Sequence, residues 1–197
     1  ASPTPHSYVA LGDSFSAGTG VGAARAFPVR LCERLQQAGV RLALTNLAVN
    51  GFTTRDLIER ELPAVPAAGP RLVTLAIGAN DIVRGAALAT YRAELQRVFA
   101  ALRAVPLVVT VPQPDWSAAP AAALFADPGQ IAASIQAYNR VLRDETRAAE
   151  RLYVDLWPLL RRQARAGAWA DDHLHPSAAA LDEWAAELAR ALRGRLP

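Results

Sequence analysis

Five short runs of apolar, β-favouring residues punctuate the sequence, at 6–11, 41–49, 71–77, 106–111 and 152–156. The stretches between them carry a helical period instead. Leu88, Tyr91, Leu95, Val98, Phe99 and Leu102 recur at steps of three and four, as do Leu181, Trp184, Leu188 and Leu192, and each series puts one apolar stripe on one face. Strands that alternate with helices, and that read as continuous apolar runs, specify a parallel sheet covered on both faces. The expected fold class is therefore α/β, doubly wound, with five buried strands. A chain of 197 residues, 52% of them hydrophobic, is large enough for one substantial core, and a single domain over 1–197 is expected.

In such a sheet the loops that leave the carboxyl ends of the strands converge on a ligand crevice. The first run is followed by Gly12-Asp13-Ser14, the second by Asn50-Gly51 and the third by Gly78-Ala79-Asn80-Asp81. The fifth, after a helix over 157–166, leads to Asp171-Asp172-His173-Leu174-His175-Pro176. The fourth is followed by the Pro- and Ala-rich stretch 112–128, which reads as a pocket wall or lid with Trp116 and Phe125 in it.

Small polar residues at one sheet edge suit nucleophilic catalysis. A serine hydroxyl reacts only when a base takes its proton, and the base needs a third group to hold its tautomer. Of three histidines, His6 begins the first strand at the far end, which leaves His173 and His175. Asp172 precedes His175 by three residues, a spacing at which a turn brings a carboxylate to Nδ1 while Nε2 faces outward. The backbone N–H groups of Ser14 and Gly51 and the side-chain amide of Asn80 sit on adjacent loops able to form an oxyanion hole. Gly51, lacking a Cβ, lets its backbone approach a bound acyl group.

The segments GDSFSAG, NLAVNGFTT, GAND and DDHLHP, in that order from position 12 to 176, resemble the sequence blocks of the SGNH or GDSL hydrolases. The resemblance implies a flavodoxin-like three-layer α/β/α sandwich with a five-stranded parallel sheet. It implies Ser14 as nucleophile, Asp172 and His175 as its triad partners, and Ser14, Gly51 and Asn80 as the oxyanion hole. Asp171 and His173 are rivals within the last block, and the family spacing selects Asp172 and His175. No metal or cofactor is implied. The substrate class is a small-molecule carboxylic ester, extending to thioesters and lysophospholipids, with a carbohydrate acetylesterase or a catalytically silent binding module as alternatives. The apolar residues Phe27, Ile82, Val83, Trp116, Leu124 and Phe125 are expected to wall the pocket and to favour short to medium acyl chains.

Other chemistries fit less well. The G-x-S-x-G elbow of the α/β-hydrolases is absent around Ser14. Gly18-Thr19-Gly20-Val21-Gly22-Ala23 satisfies a dinucleotide fingerprint, but the second strand ends without the acidic residue that binds ribose, and a flexible loop over the pocket is the better reading. A Walker A loop needs a Lys, and the chain has none. Asp171, Asp172, His173 and His175 cluster four metal donors, yet neighbours on an extended loop point apart. Among the other polar residues, Asp81 is expected to cap the helix that follows it, Asn50 to make a tight turn, Asp13 to brace the nucleophile loop and Ser16 to hydrogen-bond beside it. Trp157, Trp169 and Trp184 are expected to pack.

Composition narrows partners. All 21 basic residues are Arg, and most alternate with Asp and Glu as on a solvated helix face. The net charge of +3 is modest, and the Arg161, Arg162, Arg165, Arg190, Arg193 and Arg195 group lacks interleaved aromatics, so no nucleic-acid partner is expected. No uncharged stretch, the Pro- and Ala-rich 116–126 included, is long enough to span a bilayer, and no stable membrane insertion is expected. A monomer is the default. The single Cys32 forms no internal disulfide and sits on a helical pattern as an apolar filler. ASPTPHS carries no basic segment followed by an apolar one, so no signal peptide is read there; the absence of any Met leaves a removed leader, and localisation, open.

Overall fold

The structure, a computed structural model, describes residues 4–196; the first three residues of ASPTPHS and residue 197 lie outside them. Five parallel strands, β1 His6–Gly12, β2 Leu42–Asn46, β3 Leu72–Ala76, β4 Leu107–Thr110 and β5 Leu152–Tyr153, pair in the order β2-β1-β3-β4-β5. This is the flavodoxin-like order, and its reversal of direction between β1 and β3 opens a crevice at their carboxyl ends. The register pairs Gly12 with Ala76, so both central strands finish level.

Two cores form because alternate residues of the central strands face opposite sides. Tyr8, Ala10, Leu72 and Ala76 pack under α2 Phe27–Gln37, α7 Trp157–Arg165 and α8 Ala178–Leu192. Val9, Leu11, Val73 and Leu75 pack under α5 Leu88–Ala101 and much of α6 Pro128–Ala148. Helix starts follow local chemistry. Asp127 and Ser177 accept hydrogen bonds from Gln130 and Ala180 N–H groups, and Pro128 supplies a residue whose missing N–H costs nothing in the first turn.

The edges depart from the expected five buried strands. β2 is shorter than 41–49 and buries only the side carrying Leu42 and Leu44, leaving Ala43 and Thr45 exposed, as an edge strand packed on one face does. β5 keeps two residues of 152–156. Beyond Tyr153 the chain turns into α7, with Leu156 N–H bonded to Val154 O and Asp155 accepting from Trp157 N–H. Leu88 opens α5 at 41% exposure, outside the stripe assigned to it. Trp184 is fully buried as expected, whereas Trp157 is half-buried under the Arg161 guanidinium and Trp169 bridges to Pro176. Burial pushes the half-buried Cys32 thiol up to about 11, which keeps it protonated and unreactive at neutral pH. Among the described residues no helix is long and apolar enough to cross a membrane.

Trp184 carries the largest fully buried side chain and donates its indole N–H to Gln163 at 2.9 Å. Trp184→Ala should lower stability by about 3–5 kcal/mol, because it opens a cavity and strands a buried acceptor. Urea denaturation checks this, and a loss under about 1 kcal/mol would show that the α2/α8 layer closes over the gap.

Candidate active site

β1 ends in a four-residue helix, α1 Ser14–Ala17, that Asp13 caps by accepting the Phe15 N–H at 3.1 Å. The cap fixes Ser14 at the first helical position, and Gly18 stops the helix in the left-handed conformation at φ 85°. Ser14 is 7% exposed, and its Oγ lies 2.9 Å from His175 Nε2 although 161 residues separate them.

His175 comes from a tight loop after α7. Trp169 bridges Pro176, Ala170 N–H donates to His175 O at 2.7 Å, and His173 takes a positive φ of 60° at the turn. Asp172 fills the turn with hydrogen bonds. Its Oδ1 accepts from Leu174 N–H and His175 N–H, and its Oδ2 lies 2.5 Å from His175 Nδ1. Burial raises the Asp172 carboxyl, but the His175 and Leu174 hydrogen bonds outweigh it and hold the group below the usual carboxylate range. Asp172 therefore stays ionised at neutral pH and keeps the proton on Nδ1, leaving the Nε2 lone pair toward Ser14. Asp171 and His173 are exposed and make no side-chain contact with this chain of groups. Among the described residues no group of three or more His, Cys, Asp or Glu is arranged to hold a metal ion.

Two further loops complete the rim. Gly51 stands at φ 87° with open space around its Cβ position, so backbone conformation, more than room for an approaching group, selects glycine there. Neither Ser14 N–H nor Gly51 N–H meets an acceptor among the described residues. Asn80 opens α4 Ala79–Val83 with its neighbour Ala79 and donates one amide hydrogen to Phe52 O at 3.0 Å, which leaves the second for a ligand. Asp81 does not cap α4. Its carboxylate crosses to accept from Thr54 N–H and Oγ–H, because Thr54 begins α3 Thr54–Asp56 and its N–H has no helical partner. That crossing ties the Gly51 loop to the Asn80 helix.

The remaining expectations divide. Asp13 braces the loop as read, and Asn50 sits in a turn where Thr19 Oγ–H reaches its Oδ1. Ser16 does not hydrogen-bond through its side chain: the hydroxyl is fully buried without a partner, turned under Gly12, and the residue is engaged only through its backbone, its N–H by Asp13 O and its carbonyl by Asn46. In the 18–22 loop the Val21 and Gly22 N–H groups both donate to Gly18 O. A Cβ on Gly20 would lie 2.8 Å from Asp172 Oδ2, so glycine there permits close approach to the acid.

These groups open into a cleft of about 340 Å³. Val83, Trp116 and Phe125 line it as expected, and Phe15, Thr19 and Leu174 join them. Phe27 instead packs on Trp184 in the core, Ile82 is half-buried between the two cores, and Leu124 points to solvent at 86% exposure. Phe15 and Leu174 neighbour Ser14 and His175 in the chain, a proximity that was the signal available in the sequence. Trp116 is held by its indole N–H on Gln113 Oε1, and the Gln113 backbone is held by a reciprocal pair of hydrogen bonds with the Asn139 side-chain amide.

The chain matches the model of the GDSL-like lipase/acylhydrolase family over residues 10–192. Among solved structures it is similar to TesA, with 25% identity, a TM-score of 0.78 and coverage of 96% of this chain and 99% of that one. Two fold likenesses at lower identity are a lipase/acylhydrolase from Enterococcus faecalis (23%, TM-score 0.79, 98% and 97% covered) and the acetylxylan esterase Axe2 from Geobacillus stearothermophilus (22%, TM-score 0.74, 98% and 94% covered). No curated protein sequence matches significantly.

Burial pushes the Asp13 carboxyl up to about 7, against the Phe15 hydrogen bond and with help from Asp81. The folded chain thus holds this proton more tightly than the unfolded chain, whose Asp titrates near about 3.9. The stability it contributes is full below that value and is lost as pH rises through about 7. Asp13→Asn should therefore gain on the wild type in urea-denaturation stability as pH rises from about 4 to 7, and parallel profiles would show an ionised Asp13.

Proposed function

Since the chain belongs to the GDSL-like lipase/acylhydrolase family, we propose that it hydrolyses carboxylic esters through Ser14 as nucleophile, His175 as general base and Asp172 as orienting acid. The observation that carries this reading is the continuous line from Asp172 Oδ2 through His175 to Ser14 Oγ, at 2.5 and 2.9 Å. The Ser14 hydroxyl donates to Nε2, so as Oγ bonds to the ester carbonyl carbon its proton passes to the imidazole. The resulting imidazolium faces the ionised Asp172. The carbonyl oxygen, now carrying negative charge, is received by Ser14 N–H, Gly51 N–H and the free Asn80 amide hydrogen. Collapse breaks the bond to the leaving oxygen, which takes the proton from Nε2. Water then repeats the sequence on the acyl-enzyme, giving its proton to His175 and releasing the acid from Ser14.

The cleft supports short to medium acyl chains. Its volume of about 340 Å³ is at the small end for ligand pockets, and Phe15, Val83, Trp116, Phe125 and Leu174 give it an apolar wall. Thioesters and lysophospholipids fit the same acyl chemistry. A carbohydrate acetylesterase, the activity named for Axe2, would instead need polar groups around the leaving sugar, and the cleft offers Thr19 and Asn50 for that.

Ser14→Ala and His175→Ala should each lower kcat on a nitrophenyl ester by on the order of 10⁴, and a fluorophosphonate should label Ser14 in the wild type only. Full activity without Ser14 ends the nucleophile assignment, and an unlabelled, inactive wild type indicates a binding module. Asn80→Ala should cost on the order of 10²–10³ in kcat, the range for one oxyanion donor, and an unchanged rate removes it from the hole. Across nitrophenyl esters, kcat/KM should rise from acetyl through butyryl and hexanoyl and fall at palmitoyl. A maximum at acetyl, with release of acetate from acetylated xylan, would favour the carbohydrate reading.

A further inference from the structure

The backbone hydrogen bonds at the exit of β1 leave one donor for a side chain to satisfy. The β1–β2 ladder ends at the pair Ala10–Asn46, and β2 then turns away, although β1 continues to Gly12. The Gly12 carbonyl still receives Val49 N–H on that side, but its N–H, pointing the same way, has no strand carbonyl to meet. It donates instead to Glu61 Oε1 at 2.8 Å, across 49 residues. Glu61 is 2% exposed and closes a single π-helical turn, Leu57–Glu61, in which Leu62 N–H reaches back to Leu57 O. Such turns interrupt helices mostly where a side chain has been re-aimed for function. Nothing in the hydrolytic steps above uses Glu61, yet a carboxyl is costly to bury, and here it holds the N–H of Gly12, two residues before Ser14 in the chain.

We propose that Glu61 is a positioning residue for the nucleophile: by supplying the missing acceptor to Gly12 it fixes the peptide from which Ser14 departs, and so aims both the Ser14 hydroxyl and its backbone N–H. The inference rests on the reading of Ser14 as nucleophile. The peptide is closely surrounded and admits no side chain of its own, since a Cβ on Gly12 would meet Ala76 O at 2.4 Å and Ser16 Oγ at 2.8 Å. Glu61 Oε2, Asp13 Oδ2 and Ser16 Oγ are buried without partners, and the bond from Gly12 is the one hydrogen bond that the Glu61 side chain makes among the described residues. Burial pushes the Glu61 carboxyl up to about 8, against the Gly12 hydrogen bond and with the Asp13 and Asp56 charges adding to it. At neutral pH the group is therefore a neutral acceptor, and glutamine is its faithful substitute.

The test compares Glu61→Gln, which keeps a neutral acceptor, with Glu61→Met, which keeps length and bulk without one. Each is assayed at neutral pH, once folding is confirmed by circular dichroism, for the rate of fluorophosphonate labelling at Ser14 and for kcat and KM on a nitrophenyl ester. Glu61→Gln should stay within about 3-fold of wild type, while Glu61→Met should lose on the order of 10–100-fold in labelling rate and kcat with KM little changed, as a small misplacement of a reacting group does. A folded Glu61→Met with wild-type labelling and kcat overturns the proposal, as does a Glu61→Gln that falls as far as Met. If Glu61→Met does not fold, Glu61→Asp, whose acceptor is one carbon short, takes its place: slower labelling supports the role and a wild-type rate overturns it. A wild type that is not labelled at Ser14 at all refutes the nucleophile reading itself, and the proposal falls with it, whereas normal wild-type labelling confines any failure to Glu61.

Discussion

The carbonyl oxygen of Ala76 stands 2.4 Å from where a Cβ on residue 12 would be, and that contact governs the rest of the site. Glycine at 12 lets β1 and β3 finish side by side in register, so the segments leaving them, Ser14 from one and Asn80 from the other, start from the same level of the sheet. A side chain at 12 would push the strand ends apart. The crevice between them is the place where the strand order reverses and where open parallel sheets receive ligands. Fold and candidate chemistry thus depend on one close backbone approach, not on a specialised insertion.

Around that point the loops are joined by buried and part-buried polar bonds. Asp81 reaches Thr54, Asn80 reaches Phe52 O, Glu61 reaches Gly12 N–H and Asn46 reaches Ser16 O. A typical hydrogen bond returns only about 1 kcal/mol net, while a buried carboxyl loses hydration worth more than that. Burial accordingly raises Asp13, Glu61 and Asp81 to about 7, 8 and 6. Three buried acids are a poor way to gain stability and an effective way to fix directions, since each hydrogen bond sets an angle that apolar contact would leave loose. Local departures from the stability optimum are expected where geometry for reaction is selected.

What the sequence made legible was whatever depends on local pattern. Continuous apolar runs placed β1, β3 and β4 to within a residue or two, and the Asp172-x-x-His175 spacing describes a turn whose hydrogen bonds are all local. Edges depart from expectation because length and burial there are set by neighbours: β5 stops where the chain turns into the next helix and Asp155 accepts the Trp157 N–H, and β2 has one covered face. Side-chain roles that cross between loops were equally hidden. Asp81 looks like the first-turn acid of its own helix, and only the three-dimensional path shows Thr54 opposite it. Ser16 looks like a polar loop residue, and only the sheet shows it pressed beneath Gly12. Glu61 left a trace in the sequence, since it shares the helix face of buried Leu57, where an acid is out of place.

The two halves of the candidate triad differ in how they are built. Asp172 and His175 are three residues apart and are organised by their own loop, so the orientation of the imidazole needs little from the sheet. Ser14 is 161 residues away and reaches Nε2 only if β1, α1 and the loop after α7 are all in place. The close approach at Gly20, where a Cβ would meet Asp172 Oδ2 at 2.8 Å, links these halves, because the loop leaving the serine helix lies against the carboxylate beside His175 Nδ1. A side chain at 20 would act on both at once, displacing the carboxylate from Nδ1 and the serine loop from the cleft. Glycine is therefore required at 20 for close approach as well as for its φ of 93°, a joint requirement that no reading of 18–22 as a phosphate-binding turn would supply.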